Sequence, residues 1–312
     1  MRRSGGSANR IGDGVLYGLC AIAALLALVV IIAIVQQVIS GASPAISRFG
    51  LGFLGHAAWA PNFKIFGAAT LIYGTLVSSL LALLLAAPLA IAIAVYLSMI
   101  APRSVRAIVG PLVEMLAAVP SVIVGFWGIL VLSPFVAKHV EPALHNALGF
   151  IPLFGPPSTV GSSVFTGGIV LTIMIVPIIA SLSRDLFLTV PRELQDGAAA
   201  LGATRWETIR GVVLPSTAPG VIAAALLGLG RALGEAIAVT QVIGAGNAIH
   251  TSMFATGDTL ASRIAEQFPA ENNLQRASLF YLAAILLVIG LVTNLTAQAI
   301  ARRFDSGRLL VR

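Results

Sequence analysis

Lysine is almost missing from this 312-residue chain: Lys64 and Lys138 are the only two, and neither follows a glycine. A phosphate-cradling G-x-x-x-x-G-K-[ST] loop, in which backbone amides and a lysine hold the phosphates, is therefore excluded, and nucleotide hydrolysis by that route with it. Cysteine is reduced to Cys20, which rules out an intrachain disulfide and any cysteine metal spacing. The four histidines, His56, His139, His145 and His250, lack ligand spacing and read as solvated loop residues. Charge is scarce as well, at 10% of residues against roughly a quarter in soluble domains.

What fills the chain instead is hydrophobic side chain, 58% of all residues, with mean hydropathy +0.97. Runs of the roughly 20 apolar residues needed to cross a bilayer can be read at 15–38, 69–100, 107–137, 164–188, 216–244 and 277–301. The sequence thus predicts an all-α polytopic membrane protein with six transmembrane helices. The first run is too long for the apolar core of a cleaved signal peptide and has no small-residue cleavage site after it, so it is expected to be retained.

The net charge of +7 reports topology rather than a nucleic-acid partner. With the N-terminus inside, Arg2, Arg3, Arg10, Arg103, Arg106, Arg184, Arg192, Arg205, Arg210, Arg302, Arg303, Arg308 and Arg312 all fall on the cytoplasmic side, whereas only Arg48, Lys64, Lys138, Arg263 and Arg276 fall outside. By the positive-inside rule, residues 1–14 and 304–312 are cytoplasmic tails. The span at 15–38 then stands before a core at 69–303, and 39–67, 138–163 and 245–276 are outer segments.

One inner segment is more than a connector. PRELQDGAAALGATRWETIRGVVLP, 191–215, mixes charges, small residues and a glycine pivot. Pro191 and Glu193 suit the first turn of a helix that Gly202 can end in a left-handed conformation. Thr204-Arg205-Trp206-Glu207 then has the S/T-x-x-E form of a capping box, so a second helix starts there. Two short helices with a bend between them make an elbow, unless the segment is an interfacial helix with its arginines on lipid headgroups.

The fifth run carries GLGRALGEAIAVT, in which Arg231 and Glu235 stand inside an otherwise lipid-soluble segment. A charge at a helix centre costs about 2.5–3.5 kcal/mol of insertion free energy, while Leu, Ile, Phe or Val each contributes only about 0.3–0.6. The pair must therefore face protein or water. At i,i+4 in an unbroken helix the two side chains share one face with Gly228 and Ala238, and Gly230 with Gly234 forms a G-x-x-x-G suited to close helix packing. The pair reads either as a structural clasp or as part of a transport path, since a guanidinium matches an oxyanion by bidentate hydrogen bonding. A nucleotide fingerprint would need a preceding strand and βαβ context. Glu114, near the inner end of the third run, reads as an interfacial or packing charge.

A resemblance bears on these alternatives. Asp196-Gly197-Ala198, then Gly202, then Val212-Val213-Leu214-Pro215 resembles the E-A-A-x-x-x-G motif and following I-x-L-P of ABC importer permeases, with Ala198, Gly202, Leu214 and Pro215 matching and Asp196, Gly197 and Val212 departing. AVPSVIVGFWG in the third run, GRALGEAIAVT in the fifth and TGDTLASRIAEQF in an outer segment are similar to the phosphate-transport permeases within that family, over essentially the whole chain; Ala236, Ile237 and Asp258 depart from their pattern.

The resemblance implies the ABC importer permease (MetI-like) fold in a bacterial inner membrane. It also implies a sister permease completing the translocation pathway by alternating access, an extracytoplasmic phosphate-binding protein and two ATPase subunits docking on 192–215. That surface would include Glu193, Asp196, Gly197, Ala198, Gly202, Arg205, Leu214 and Pro215. This chain would need no cofactor, ATP and magnesium being used by the ATPase partner, and Arg231 with Glu235 would lie on the path of inorganic phosphate. A permease for sulfate or molybdate is the alternative. A secondary transporter would lack the elbow and favour inverted repeats, and an intramembrane enzyme would need a nucleophile or metal cluster that the spans do not offer.

Overall fold

The structure is a computed structural model that describes residues 8–269 and 272–305. Six of its helical segments are long and apolar enough to cross a membrane. The first, α1 (Ala8–Phe49), runs well past the expected limit at 38. Its C-terminal turns find protein to pack on, with Ala42 and Ala45 fully buried and Gly41 against the Phe280 ring. The stretch of α1 from Val15 to Ile34 leaves every large apolar side chain exposed, so it presents only hydrocarbon-compatible surface.

The core is built on close packing of α2 (Ala69–Val95) against α5 (Val164–Leu188). Ala82, Ala86, Ala90 and Ala94 are fully buried at four-residue spacing, a stripe of small side chains that lets the two backbones approach in the absence of a hydrophobic drive between membrane helices. Leu171, Ile175 and Ile179 fill the space opposite. The hydroxyls of Thr75, Ser78 and Ser79 each donate to a carbonyl one turn back, at 2.6–2.7 Å, so these polar residues are satisfied inside their own helix.

The third hydrophobic run is divided. An amphipathic helix α3 (Arg103–Ala117) ends at a bend over 118–120, and the membrane-length helix α4 (Ser121–Leu148) begins after it. Pro120 causes the division, because it lacks an N–H and its ring excludes the preceding residue from helical conformation. The crossing segment is thus shifted toward the C-terminus of the expected 107–137, and the helix continues through widened π-type turns at 128–132 and 136–140 into what reads from sequence as a loop.

The elbow forms as its local signals specify. Helix α6 (Arg192–Ala200) ends at Leu201, Gly202 takes φ +86°, and Thr204 and Glu207 complete a reciprocal capping box that starts α7 (Arg205–Gly234). After α7 come α8 (Ile237–Val242), an irregular hairpin, α9 (Leu260–Gln267) and the last long helix, α10 (Asn273–Asp305). We call the end of the bundle that carries α6 the elbow end and the other the cap end.

The cap end has its own core, in which Phe53, Trp59, Phe66 and Leu71 pack against Leu260, Leu279 and Leu282. It brings residues near 59 together with residues near 260. The hairpin between α8 and α9 lies against the start of α5, with Val164 and Phe165 donating their amides to Ala255 and Met253. Gly74 admits that hairpin to α2: a Cβ there would sit 2.0 Å from the carbonyl oxygen of Asp258.

Candidate functional site

The charged pair in the fifth span does not share a helical face. Helix α7 stops at Gly234, Glu235 is extended (φ −72°, ψ 119°), and α8 starts two residues later. The i,i+4 geometry expected from sequence fails because Gly234 weakens the helix and the Glu235 carboxylate takes another task, accepting the Ala238 amide at 3.3 Å. Such a cap offsets unpaired N–H groups at the start of α8. Among the described residues no ion pair joins Arg231 to Glu235, and no hydrogen bond engages the Arg231 guanidinium.

Arg231 instead projects from the last turn of α7 into open space. It lines a cavity of about 850 Å³ between α5, α7 and α10, together with Ile178, Leu227, Gly230 and Gly290. A Cβ added at Gly230 or Gly234 meets nothing within 4 Å, so among the described residues no other helix uses the G-x-x-x-G, whereas Gly228 is in close contact with Ile179. Arg231 also reaches a narrow cleft beside Leu116, Ala117, Val119 and Val124, at the Pro120 break. Two interrupted membrane segments therefore meet at one arginine. Broken helices leave backbone groups unpaired, which hydrocarbon tolerates only where they are buried in protein or line a cavity, and helix ends at mid-membrane are a recurrent way to hold an ion.

The elbow residues lie at a distance along the chain from this cavity, and α7 connects the two. Glu193, Asp196, Gly197, Gly202, Arg205 and Pro215 are exposed, and Ala198 and Leu214 are partly buried. Ala198 closes the bend by accepting the Leu201 and Ala203 amides at 3.2 and 3.1 Å, and Gly202 donates to Ala199 at 2.9 Å. Leu201 at 91% and Trp206 at 62% exposed stand on the elbow surface. Glu114 pairs with Arg184 at 2.7 Å, tying α3 to the end of α5 that leads into the elbow.

Sequence reasoning missed two polar clusters at the cap end. Asp258 and Arg263, 1% and 4% exposed, face each other through Oδ2 and Nε at 2.5 Å. Arg263 also donates to Asn247 at 2.6 Å and lies over the Trp59 ring, while Asp258 accepts from the Thr259 amide at 2.7 Å and from the Ser262 hydroxyl. Burial pushes the Asp258 carboxyl above its ordinary value, against the pull of Arg263, Ser262 and the Thr259 amide. The second cluster is Glu141, fully buried, which accepts the Ser158 amide at 2.7 Å and the Ser163 hydroxyl at 3.1 Å and so anchors the segment before α5. The T-x-x-S cap of Thr259 and Ser262 was the available local signal for the first; Glu141, near the C-terminal end of α4, has no local signal.

Comparison with known proteins places this geometry in a family. Residues 86–306 match the binding-protein-dependent transport system inner membrane component family. The chain is 40% identical over 289 residues to the phosphate transport system permease protein PstC of Pasteurella multocida, covering 90% of this chain and 89% of that one. It is equally 40% identical to the PstC of Mesorhizobium japonicum, over 94% and 91% of the two chains, and 37% identical to PstC 1 of Mycobacterium tuberculosis, over 80% and 77%. In fold it is similar to a chain of the bacterial alginate ABC transporter solved with its alginate-bound periplasmic protein, at TM-score 0.62 and 17% identity over 94% and 98%. It is also similar to a chain of the MetNI methionine ABC transporter in inward-facing form, at TM-score 0.55 and 18% identity over 74% and 93%. With the family pattern covering both broken spans and the elbow, this chain belongs to the binding-protein-dependent transport system inner membrane components, the membrane-spanning permeases of ABC importers.

Proposed function

We propose that this chain is the permease subunit of an ATP-driven importer for inorganic phosphate, with both termini and the elbow at the cytoplasmic face. The observation that carries the reading is Arg231: a cation in a membrane-embedded cavity, at the junction of two broken helices, without a counter-ion among the described residues. Intramembrane ionisable groups without a structural partner are functional by default. A guanidinium also offers an oxyanion a fork of donors that offsets part of its dehydration cost. The electrostatics suit sulfate and molybdate equally. The name shared by relatives at about 40% identity supports phosphate.

In this reading a sister permease supplies the other half of the pathway, an extracytoplasmic binding protein delivers phosphate at the cap end, and two ATPase subunits hydrolyse ATP with magnesium below. This chain carries no cofactor of its own. Glu235 fixes the start of α8 and leaves its second carboxylate oxygen available to accept a proton-bearing phosphate oxygen, a hydrogen bond that sulfate cannot donate at neutral pH. The exposed apolar side chains of Leu201 and Trp206, on a segment of exposed charge, support the elbow as the protein-docking surface.

The composition of the complex tests this directly. Tagged chain purified from its native membrane should bring down a second permease and an ATPase; recovery of the chain alone, or with a different class of partner, would remove the reading. The elbow's bend has its own test. A β-branched residue at φ +86° is strained by about 1–2 kcal/mol, so Gly202→Val should lower coupled ATPase stimulation by about tenfold while membrane insertion stays normal. No steric clash complicates the result, since a Cβ at Gly202 meets nothing within 4 Å. Wild-type stimulation in that variant would contradict a docking role for the bend.

A further inference from the structure

Helix α10 carries polar side chains in the half nearest the elbow end, where hydropathy alone would put lipid contact, and they are not scattered. Thr293, Asn294 and Gln298 all line the cavity that Arg231 enters. At 100° per residue these three and Gly290 fall within one arc, while Leu291, Val292 and Leu295, each more than half exposed, cover the rest. Thr296, outside that arc, satisfies its hydroxyl on the Val292 carbonyl at 2.8 Å, which makes it compatible with lipid. A side-chain amide has no such refuge. Asn294 and Gln298 have only a long mutual contact of 3.4 Å, leaving most of their donors and acceptors unused, and unsatisfied polar groups in hydrocarbon cost several kcal/mol each.

We propose that Thr293, Asn294 and Gln298 form the polar wall of a hydrated vestibule on the elbow side of Arg231, and that the amide donors of Asn294 and Gln298 take the oxyanion from the arginine on its way to the cytoplasm. The inference rests on the pathway reading of Arg231. The cavity is far larger than one tetrahedral oxyanion, so the anion passes it partly hydrated. Neutral amides suit an exit, because they hydrogen-bond an anion without the charge that would hold it. Gly230 and Gly290 both line the cavity, and the space beside them is open: a Cβ on either would meet nothing within 4 Å.

The test uses the assembled, nucleotide-free complex in inside-out vesicles, in a Cys20→Ser background. Single cysteines at 294, 298 and 295 are challenged with a membrane-impermeant anionic thiosulfonate. Asn294→Cys and Gln298→Cys should react at least about tenfold faster than Leu295→Cys, because only a hydrated thiol ionises to the reactive thiolate. Alongside, Asn294→Leu/Gln298→Leu should co-purify with its partners and lose at least about a hundredfold in phosphate uptake, as expected for two lost hydrogen bonds to a charged group. Cysteines at 294 and 298 no more reactive than at 295 would mean that lipid or a helix of the sister permease fills the cavity, and would overturn the inference, as would undiminished uptake in the double leucine variant. Arg231→Gln assayed in parallel separates the two levels: retained uptake there defeats the pathway reading itself, whereas lost uptake with inert cysteines defeats only the vestibule.

Discussion

Arg231→Gln is expected to assemble normally and to transport almost nothing. Within this chain the guanidinium makes no hydrogen bond or ion pair among the described residues and points into a cavity, so its removal leaves no buried partner unsatisfied and the fold has little reason to respond. The anion loses a charge-assisted, bidentate interaction, and uptake should fall by at least about a hundredfold. Arg231→Lys keeps the charge without the planar fork and should fall between the two. Glu235→Gln should lose less than about tenfold, because an amide oxygen still accepts the Ala238 N–H. Uptake of radiolabelled phosphate, measured beside co-purification of the partner subunits, distinguishes this account from a structural clasp. A clasp requires both single variants to fold poorly and the double variant to recover, and that recovery would refute the pathway role.

The second large effect is expected at the cap end. Arg263→Met removes the cation facing Asp258, whose carboxylate is then left buried beside hydrogen bonds too few to replace it. Losing one partner of a buried ion pair costs about 3–5 kcal/mol, enough to unfold a marginal region, so the variant should accumulate poorly in the membrane and melt well below the wild type in detergent. Asp258→Asn should also be destabilised, because its amide oxygen can still accept the Thr259 amide and the Ser262 hydroxyl but its NH2 group then faces the buried Arg263; the loss should be smaller, since Arg263 keeps Asn247 and the Trp59 face. Adding Asp258→Asn to Arg263→Met should restore most of the lost stability, since it removes the stranded charge. Equal melting of Arg263→Met and wild type would show that the pair contributes nothing.

What was legible in the sequence was whatever is decided locally or by composition. Six membrane-length runs, the left-handed turn at Gly202 and the capping box of Thr204 and Glu207 each depend on a few neighbouring residues, and each is present in the fold. Interruptions inside hydrophobic runs were not legible, because hydropathy sums across them. Pro120 separates an amphipathic helix from the membrane-length helix, and the change at Gly234 to Ala236 turns a supposed i,i+4 pair into an isolated arginine and a helix cap. The C-terminal half of α10 reads as an ordinary span until Arg231 is seen to share its cavity. Asp258 and Arg263 read as outer-loop charges because Trp59, over which Arg263 lies, and the Phe53, Phe66 and Leu71 side of the cap-end core are some two hundred positions away in the chain.

The central claim is that this chain builds half of an energised phosphate pathway around one intramembrane arginine, and ATP-dependent anion accumulation tests it most directly. The complete complex, purified from its native membrane and reconstituted with its binding protein enclosed in or added to proteoliposomes on the cap side, would be supplied with ATP and magnesium on the elbow side. Labelled phosphate or labelled sulfate would then be followed. The account predicts accumulation of phosphate that stops without ATP, is not displaced by excess sulfate, and disappears when Arg231→Gln replaces the wild-type chain in an otherwise intact complex. Accumulation of sulfate in preference to phosphate, or of phosphate at the wild-type rate by the Arg231→Gln complex, would contradict it.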